Sequence, residues 1–214
     1  MTMQIEGKDT PVQKLEKIVT HDDFDGVVSA ALCSLAEGIE SFRFSAPGSI
    51  LNMHLGVGPD TVVCDLPHHP AAGLWFDHHI GNLEDYKLKG GDPENMQGAF
   101  SPEKSCARVI YNYYRGNFSF PDFLSVTVQE ADIIDSFDYQ DIEDWQRETP
   151  GKLLADTLRT SFPSFRERDR FMRYLIRLVR ALPLQEVLQD SRVQEKVSMY
   201  REVVKKNRID SPKM

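Results

Sequence analysis

Lys17-Ile18-Val19-Thr20-His21-Asp22-Asp23-Phe24-Asp25-Gly26-Val27-Val28-Ser29-Ala30-Ala31-Leu32 is the stretch that decides the fold. Its first four residues are β-prone and predict a strand. From Gly26 to Glu37 apolar residues recur at helical spacing and stop at Gly38, which predicts a helix closed by a glycine. Between strand and helix stands a crowd of imidazole and carboxylate. Alternate residues of an extended segment point the same way, so His21, Asp23 and Asp25 are expected on one face. Such a group repels itself unless a cation compensates, and the leading reading is a metal site. The plainer alternative is Asp25 capping the helix among surface charges. Gly26 either relieves crowding at the turn or lets a phosphate approach the helix N-terminus.

Outward from this stretch, Glu40 to Phe44 predicts a second strand, and Asp60 to Asp65, apolar through its centre, a third. Leu74-Trp75-Phe76 predicts a fourth, running into Asp77-His78-His79. Gly81 to Pro102 is polar and glycine-bearing and reads as a loop; Ser105 to Tyr114 and Phe123 to Ser136 read as helices. Strands alternating with helices imply an α/β class with a mainly parallel sheet flanked by helices. Ligands of such sheets bind beyond the carboxyl ends of the strands. His21–Asp25, Asp65 and Asp77–His79 all follow strands, so three strand ends carry metal-ligand chemistry toward one place. Residues 12–140 are expected to form a metal-binding catalytic domain. Residues 141–214 are expected to be a helical segment, linking to or replacing a substrate-gripping domain.

The composition is that of an ordinary globular chain: 41% hydrophobic and 27% charged over 214 residues. No apolar run approaches the roughly 20 residues of a membrane span, and Met1 to Asp9 lacks the basic start and apolar core of a signal peptide. Cys33, Cys64 and Cys106 are scattered among apolar neighbours and read as reduced core thiols. A cytoplasmic location is expected. The net charge of −8 divides into −15 over residues 1–150 and +7 over residues 151–214. An acidic first part suits divalent cations; a basic second part suits an anionic substrate, or docking on the first.

Taken in order, His21-x-Asp23-x-Asp25-Gly26, the strand-ending Asp65 and Asp77-His78-His79 resemble the first three motifs of the DHH phosphoesterases, over residues 15–140. That superfamily includes single-strand exonucleases, nanoRNases, nucleoside-bisphosphate phosphatases, cyclic-dinucleotide phosphodiesterases, exopolyphosphatases and family II pyrophosphatases. The fourth acidic motif resembles Ala131-Asp132-Ile133-Ile134-Asp135, where Asp132 is preferred because it follows alanine. The resemblance implies one cation held by His21, Asp23 and a shared Asp65, and another by Asp25, Asp65, His78 and Asp132. It places His79 on the substrate phosphate and Asp77 behind, orienting an imidazole. Mn²⁺ suits this ligand set best, with Mg²⁺ or Co²⁺ as substitutes. The implied reaction is hydrolysis of a phosphodiester or phosphoanhydride, in a short oligonucleotide, nucleotide or polyphosphate, by two-metal activation of a bridging water. The rival is a non-catalytic core of the same type that binds metal or a partner.

Several residues are not absorbed by these motifs. His68-His69-Pro70 reads as a loop near the site, and His54 as a partly buried loop histidine. Ser105 and Arg108 either line the cleft or act as cap and surface charge. Many DHH enzymes carry a glycine-rich C-terminal domain, but residues 141–214 hold only Gly151. They hold instead Arg166, Arg170, Arg173, Arg177 and Arg180 at helical spacing. That stripe reads chiefly as a solvated face or a partner for the acidic part, with a phosphate backbone as the alternative.

Overall fold

The structure, a computed structural model, describes residues 14–51 and 55–210; His54 lies outside them. Strands β1 (Lys17–His21), β2 (Phe42–Ser45), β3 (Thr61–Cys64), β4 (Leu74–Asp77) and β5 (Gly98–Phe100) form one sheet in the order β2-β1-β3-β4-β5. Every neighbouring pair is parallel, with Ile18 beside Phe42 and Val62, and Phe76 beside Cys64 and Ala99. Side chains alternate across the pleat. Ile18, Phe42, Val62, Cys64 and Phe76 enter a large apolar cluster on one face; Val19, Val63 and Trp75 join Ile50 and Leu66 in a smaller one on the other. Burial on both faces explains why these strands read as unbroken apolar runs.

Helix α1 (Phe24–Glu37) returns from β1 to β2 and ends at Gly38, whose φ of 69° is the left-handed cap expected of glycine. After β4 come α2 (Ile80–Leu88), then β5, α3 (Cys106–Tyr114) and α4 (Phe123–Ser136). The segment from Gly81 to Pro102, read as a loop, therefore contains a helix and the edge strand. Helix α2 buries no residue, so it carries no apolar stripe to betray it. Strand β5 has three residues and opens at Gly98, where φ is 111° and a Cβ would lie 2.0 Å from the Trp75 carbonyl oxygen. Its glycine permits close strand approach, although on sequence it suggests a turn.

Beyond α5 (Ile142–Gln146) the chain is helical: α6 (Pro150–Leu158), α7 (Phe165–Val179), α8 (Leu184–Val187) and α9 (Ser191–Asp210). Leu154, Met172, Leu175 and Ile176 are buried in the same cluster as Ile18 and Phe76, so these helices and the sheet share a core. The buried face of α7 (Phe171, Met172, Leu175, Ile176 and Val179) seats it on that core, and charged contacts to the acidic part add to it at the edge. Arg180 pairs with Glu40 at 2.5 Å and donates to Ser34 Oγ at 2.6 Å; Arg177 lies 3.6 Å from Glu40. Arg173 donates to the Phe42 carbonyl at 3.1 Å, while Arg170 bonds Glu167 on its own helix. Much of the arginine stripe is thus spent on docking. The three cysteines are free and buried, and among the described residues no helix is long and apolar enough to cross a membrane.

Sheet order also fixes where a ligand enters. The chain leaves β1 toward β2 on one side and leaves β3 toward β4 on the other, so the crevice beyond β1 and β3 is a topological switch point.

Candidate metal centre

The first cluster spans a strand-to-helix turn, where an extended segment was expected. Only His21 is in β1; Asp23 is the N-cap of α1 and Asp25 sits in its first turn. Asp23 Oδ1 accepts the Gly26 N–H at 2.9 Å, and its Oδ2 faces His21 Nδ1 at 2.8 Å. The cap is therefore Asp23 where Asp25 was the sequence alternative, and the three side chains converge because the backbone turns. Gly26 is required for that turn: a Cβ there would stand 2.1 Å from the His21 carbonyl oxygen. Asp25 is buried and accepts the N–H groups of Cys106 at 2.7 Å and Ala107 at 2.9 Å, the first amides of α3.

Asp65 stands just beyond β3 with φ 56°, a conformation aspartate tolerates better than most residues. It is buried at the centre of the group. Its Oδ2 lies 3.3 Å from His21 Nδ1, and its Oδ1 lies 3.7 Å from both His78 Nε2 and His79 Nδ1. Neither oxygen has a hydrogen-bond partner; the nearest donor, His21 Nδ1, is held by Asp23.

His78 and His79 leave β4 in different directions. His78 Nδ1 is 3.0 Å from the Glu103 carbonyl oxygen. A carbonyl only accepts, so Nδ1 carries a proton and Nε2 is the ring nitrogen turned toward the group. That buried Nε2 has no hydrogen-bond partner and faces carboxylates of Asp135 at 3.2 Å, Asp65 at 3.7 Å and Asp25 at 3.9 Å. His79 is half exposed, and its Nδ1 is held by Asp77 at 2.9 Å. Asp77, fully buried, also accepts the backbone N–H of both histidines and the Asn82 amide at 2.6 Å. Nothing in the sequence flags Asn82, since its helix reads as a loop.

The fourth motif comes out differently from the preference for Asp132. Arg108 holds the Asp132 carboxylate through Nε at 2.9 Å and Nη2 at 2.6 Å, and Ser105 Oγ donates to it at 2.6 Å. Those donors occupy it away from the group, and Asp135, three residues on, turns toward His78. The usable signal was the Ser105/Arg108 pair, spaced to present one donor patch from the start of α3. His68 packs its ring on Trp75 and Tyr86 at 5.1 and 4.5 Å between centroids, and His69 accepts the Ala71 N–H; neither joins the group.

Three sets of donor atoms lie close enough to share an ion: His21, Asp23 and Asp65; Asp25, His78 and Asp135; and Asp65, His78 and His79. In the last set His79 Nδ1 is already bonded to Asp77, which leaves two ion-sized groups, His21, Asp23 and Asp65 on one side and Asp25, His78 and Asp135 on the other, with Asp65 of the first 3.7 Å from His78 of the second. Crowding shows in the protonation equilibria. Burial, then the charges of Asp65, Asp135 and Asp23, push Asp25 well above the usual carboxylate range. Burial lifts Asp65 to about 7 and also raises Asp135. Burial would lower His21, yet its contacts with Asp23 and Asp65 prevail and bring it to about 10. The bond to Asp77 raises His79. Buried carboxylates held above their normal range, beside the unpartnered His78 Nε2 and Asp65 oxygens, form an acid-rich donor set that divalent cations fit. A cavity of about 350 Å³ opens on this group, bounded by Asp23, Asp25, Asp135, Leu158, Arg159 and Arg168. A separate cavity of about 410 Å³ by His68 and Tyr86 contains none of these donors.

No description of a protein family matches the chain, and no curated protein does. Among solved structures, a pGpG-specific phosphodiesterase, PggH, from Vibrio cholerae is similar with a TM-score of 0.70 and 25% identity, over 87% of this chain and 60% of that one. An uncharacterized protein from Helicobacter pylori G27 is similar in fold, with a TM-score of 0.51 and 11% identity, over 88% of this chain and 62% of that one. The chain therefore spans about 60% of the length of these structures. The first likeness supports, at superfamily level, the DHH relationship suggested by the motifs.

Proposed function

We propose that the chain is a divalent-cation-dependent phosphodiesterase acting on a short nucleotide-type phosphodiester. One observation carries this reading: the buried Asp65 oxygens and His78 Nε2 lack hydrogen-bond partners while five further ligand-type side chains, His21, Asp23, Asp25, His79 and Asp135, surround them. Leaving such groups unpaired costs each of them about 1–3 kcal/mol or more, and divalent cations remove that cost. The likeness to a phosphodiesterase favours the diester over the anhydride or polyphosphate expected equally from sequence.

His21, Asp23 and Asp65 would hold one ion; Asp25, Asp65, His78 and Asp135 would hold the other, with Asp135 in the place given to Asp132 on sequence. Mixed imidazole and carboxylate donors suit Mn²⁺, then Mg²⁺ or Co²⁺. When bound, the pair would supply Lewis acidity and a water acidic enough to attack phosphorus near neutral pH. The chain's own residues do the rest. The His79 Nδ1 proton is fixed on Asp77, so Nε2 points outward from a half-exposed ring, and the raised pKa favours a proton there. That proton faces a phosphoryl oxygen of the substrate or the departing alkoxide. Asp77, tied to two backbone amides and Asn82, keeps the ring from turning.

The test is hydrolysis of bis(p-nitrophenyl) phosphate and of a phosphorylated dinucleotide, with and without Mn²⁺. Turnover of at least one, dependent on the metal and lost in Asp65→Asn, supports the proposal. Tight Mn²⁺ binding with no turnover of either substrate replaces it by the non-catalytic module.

A further inference from the structure

One wall of the catalytic cleft comes from the basic helical segment. Leu158 and Arg159 stand at the end of α6 and Arg168 on α7, facing Asp23, Asp25 and Asp135 across the opening. The two arginines differ in what they already hold. Arg168 is committed, donating to the Asp22 carboxylate and, at 2.7 Å, to the Asp22 carbonyl. Arg159 has a side chain 75% exposed, and its one ion pair among the described residues is with Asp156 at 3.7 Å, beyond hydrogen-bond reach. Its five donors are therefore available at the mouth of the cleft.

Arg159 also lines a second, larger cavity of about 580 Å³ between α6 and α9, which includes Trp145, Lys152, Tyr200 and Arg201. One guanidinium thus stands where two cavities meet. On one side lie the carboxylates that suit cations; on the other the walls carry Lys152, Arg201 and Lys205 against Glu148 and Asp156. A molecule with one phosphate at the cations and the rest of itself in the second cavity would have Arg159 beside it, and a guanidinium fork matches phosphate in a two-bond geometry that a lysine cannot reproduce.

We propose that Arg159 binds a second phosphate of the substrate, one not under attack, and so selects short oligonucleotides bearing a terminal phosphate, whose remainder extends into the Trp145–Tyr200 cavity. The proposal rests on the phosphodiester reading of the site. Its test compares thymidine dinucleotides with and without a 5′-phosphate, supplied with Mn²⁺, on the wild type, Arg159→Ala and Arg159→Lys. The wild type is expected to prefer the phosphorylated molecule. Arg159→Ala is expected to reduce kcat/KM for it by about 10- to 100-fold more than for its unphosphorylated partner, chiefly through KM. Arg159→Lys is expected to recover part of the loss. Equal losses on both substrates, or no wild-type preference, overturn the proposal. Calorimetric binding of the same pair separates the two readings. If neither is hydrolysed but the wild type binds the phosphorylated one more tightly through Arg159, the anion grip stands, and the phosphodiesterase reading falls when bis(p-nitrophenyl) phosphate is also left intact. If binding also fails to distinguish them, the grip falls.

Discussion

Replacing Asp65 by asparagine should make the metal-free chain more stable while removing its response to Mn²⁺. The two effects have one origin. Asp65 is buried, lacks hydrogen bonds to either oxygen, and is held at about 7 where an ordinary aspartate titrates near 3.8. At pH 8 it is ionised in the folded chain, and a displacement of that size disfavours the ionised form by about 4 kcal/mol. Asparagine removes the charge but must bury an amide, which costs about 1–3 kcal/mol if unpaired, and it weakens the contact with His21. The net gain is about 1–2 kcal/mol, or about 2–8 °C in Tm for a chain of this size. Asparagine also accepts the left-handed φ of 56°, so backbone strain does not confuse the comparison. Conversely, a metal at about 100 times its Kd stabilises the wild type by about 2.7 kcal/mol, and the variant should show little of this. Thermal melts at pH 8, with and without Mn²⁺, read both quantities. Because the folded chain holds the Asp65 proton more tightly than the unfolded one, its favourable contribution is full below about pH 4 and lost as pH rises to about 7; the variant's advantage should shrink accordingly at pH 5. A metal-free variant that melts below the wild type at pH 8, or one that keeps the full Mn²⁺ shift, refutes the shared-ligand account.

Asp135→Asn should weaken Mn²⁺ binding by at least tenfold in a calorimetric titration, whereas Asp132→Asn should leave that affinity near normal. The latter should instead lower stability by about 2–4 kcal/mol, because Arg108 loses its partner; the opposite pattern would restore Asp132 as ligand. His79→Gln should lower kcat by about 10²-fold with Mn²⁺ affinity retained, measured by steady-state kinetics beside a metal titration; loss of metal binding would make His79 a ligand. Gly26→Ala should cost about 3 kcal/mol or more, by chemical denaturation, since its methyl would overlap the His21 carbonyl; a change below about 1 kcal/mol would show that the turn has room.

The α/β architecture was legible because the strands are buried on both faces and each ligand cluster follows one of them. Where burial is absent the pattern fades: α2 buries nothing, and β5 is three residues of which the first is a glycine. The clustering of imidazoles and carboxylates was legible as chemistry but not as geometry. His21, Asp23, Asp25, Asp65 and His78 come together, yet through a strand-to-helix turn that alternation along a strand does not describe. Which of Asp132 and Asp135 faces the group was not legible for another reason. It depends on Arg108 and Ser105, which arrive from a different helix, and spacing within one motif carries no information about such a competitor. Arg159 carries no motif at all, and its position is a consequence of tertiary packing.

Asp23 and Asp25 each hold a helix start as well as a place in the donor set: one caps α1 and the other receives the first amides of α3. An inert control made by erasing either aspartate would therefore be a damaged protein before it was an inactive one, with about 1 kcal/mol lost at the first and two stranded amides at the second. Silence from such a variant would say nothing about chemistry. Faithful blanks belong at Asp65 or Asp135, whose carboxylates cap no helix.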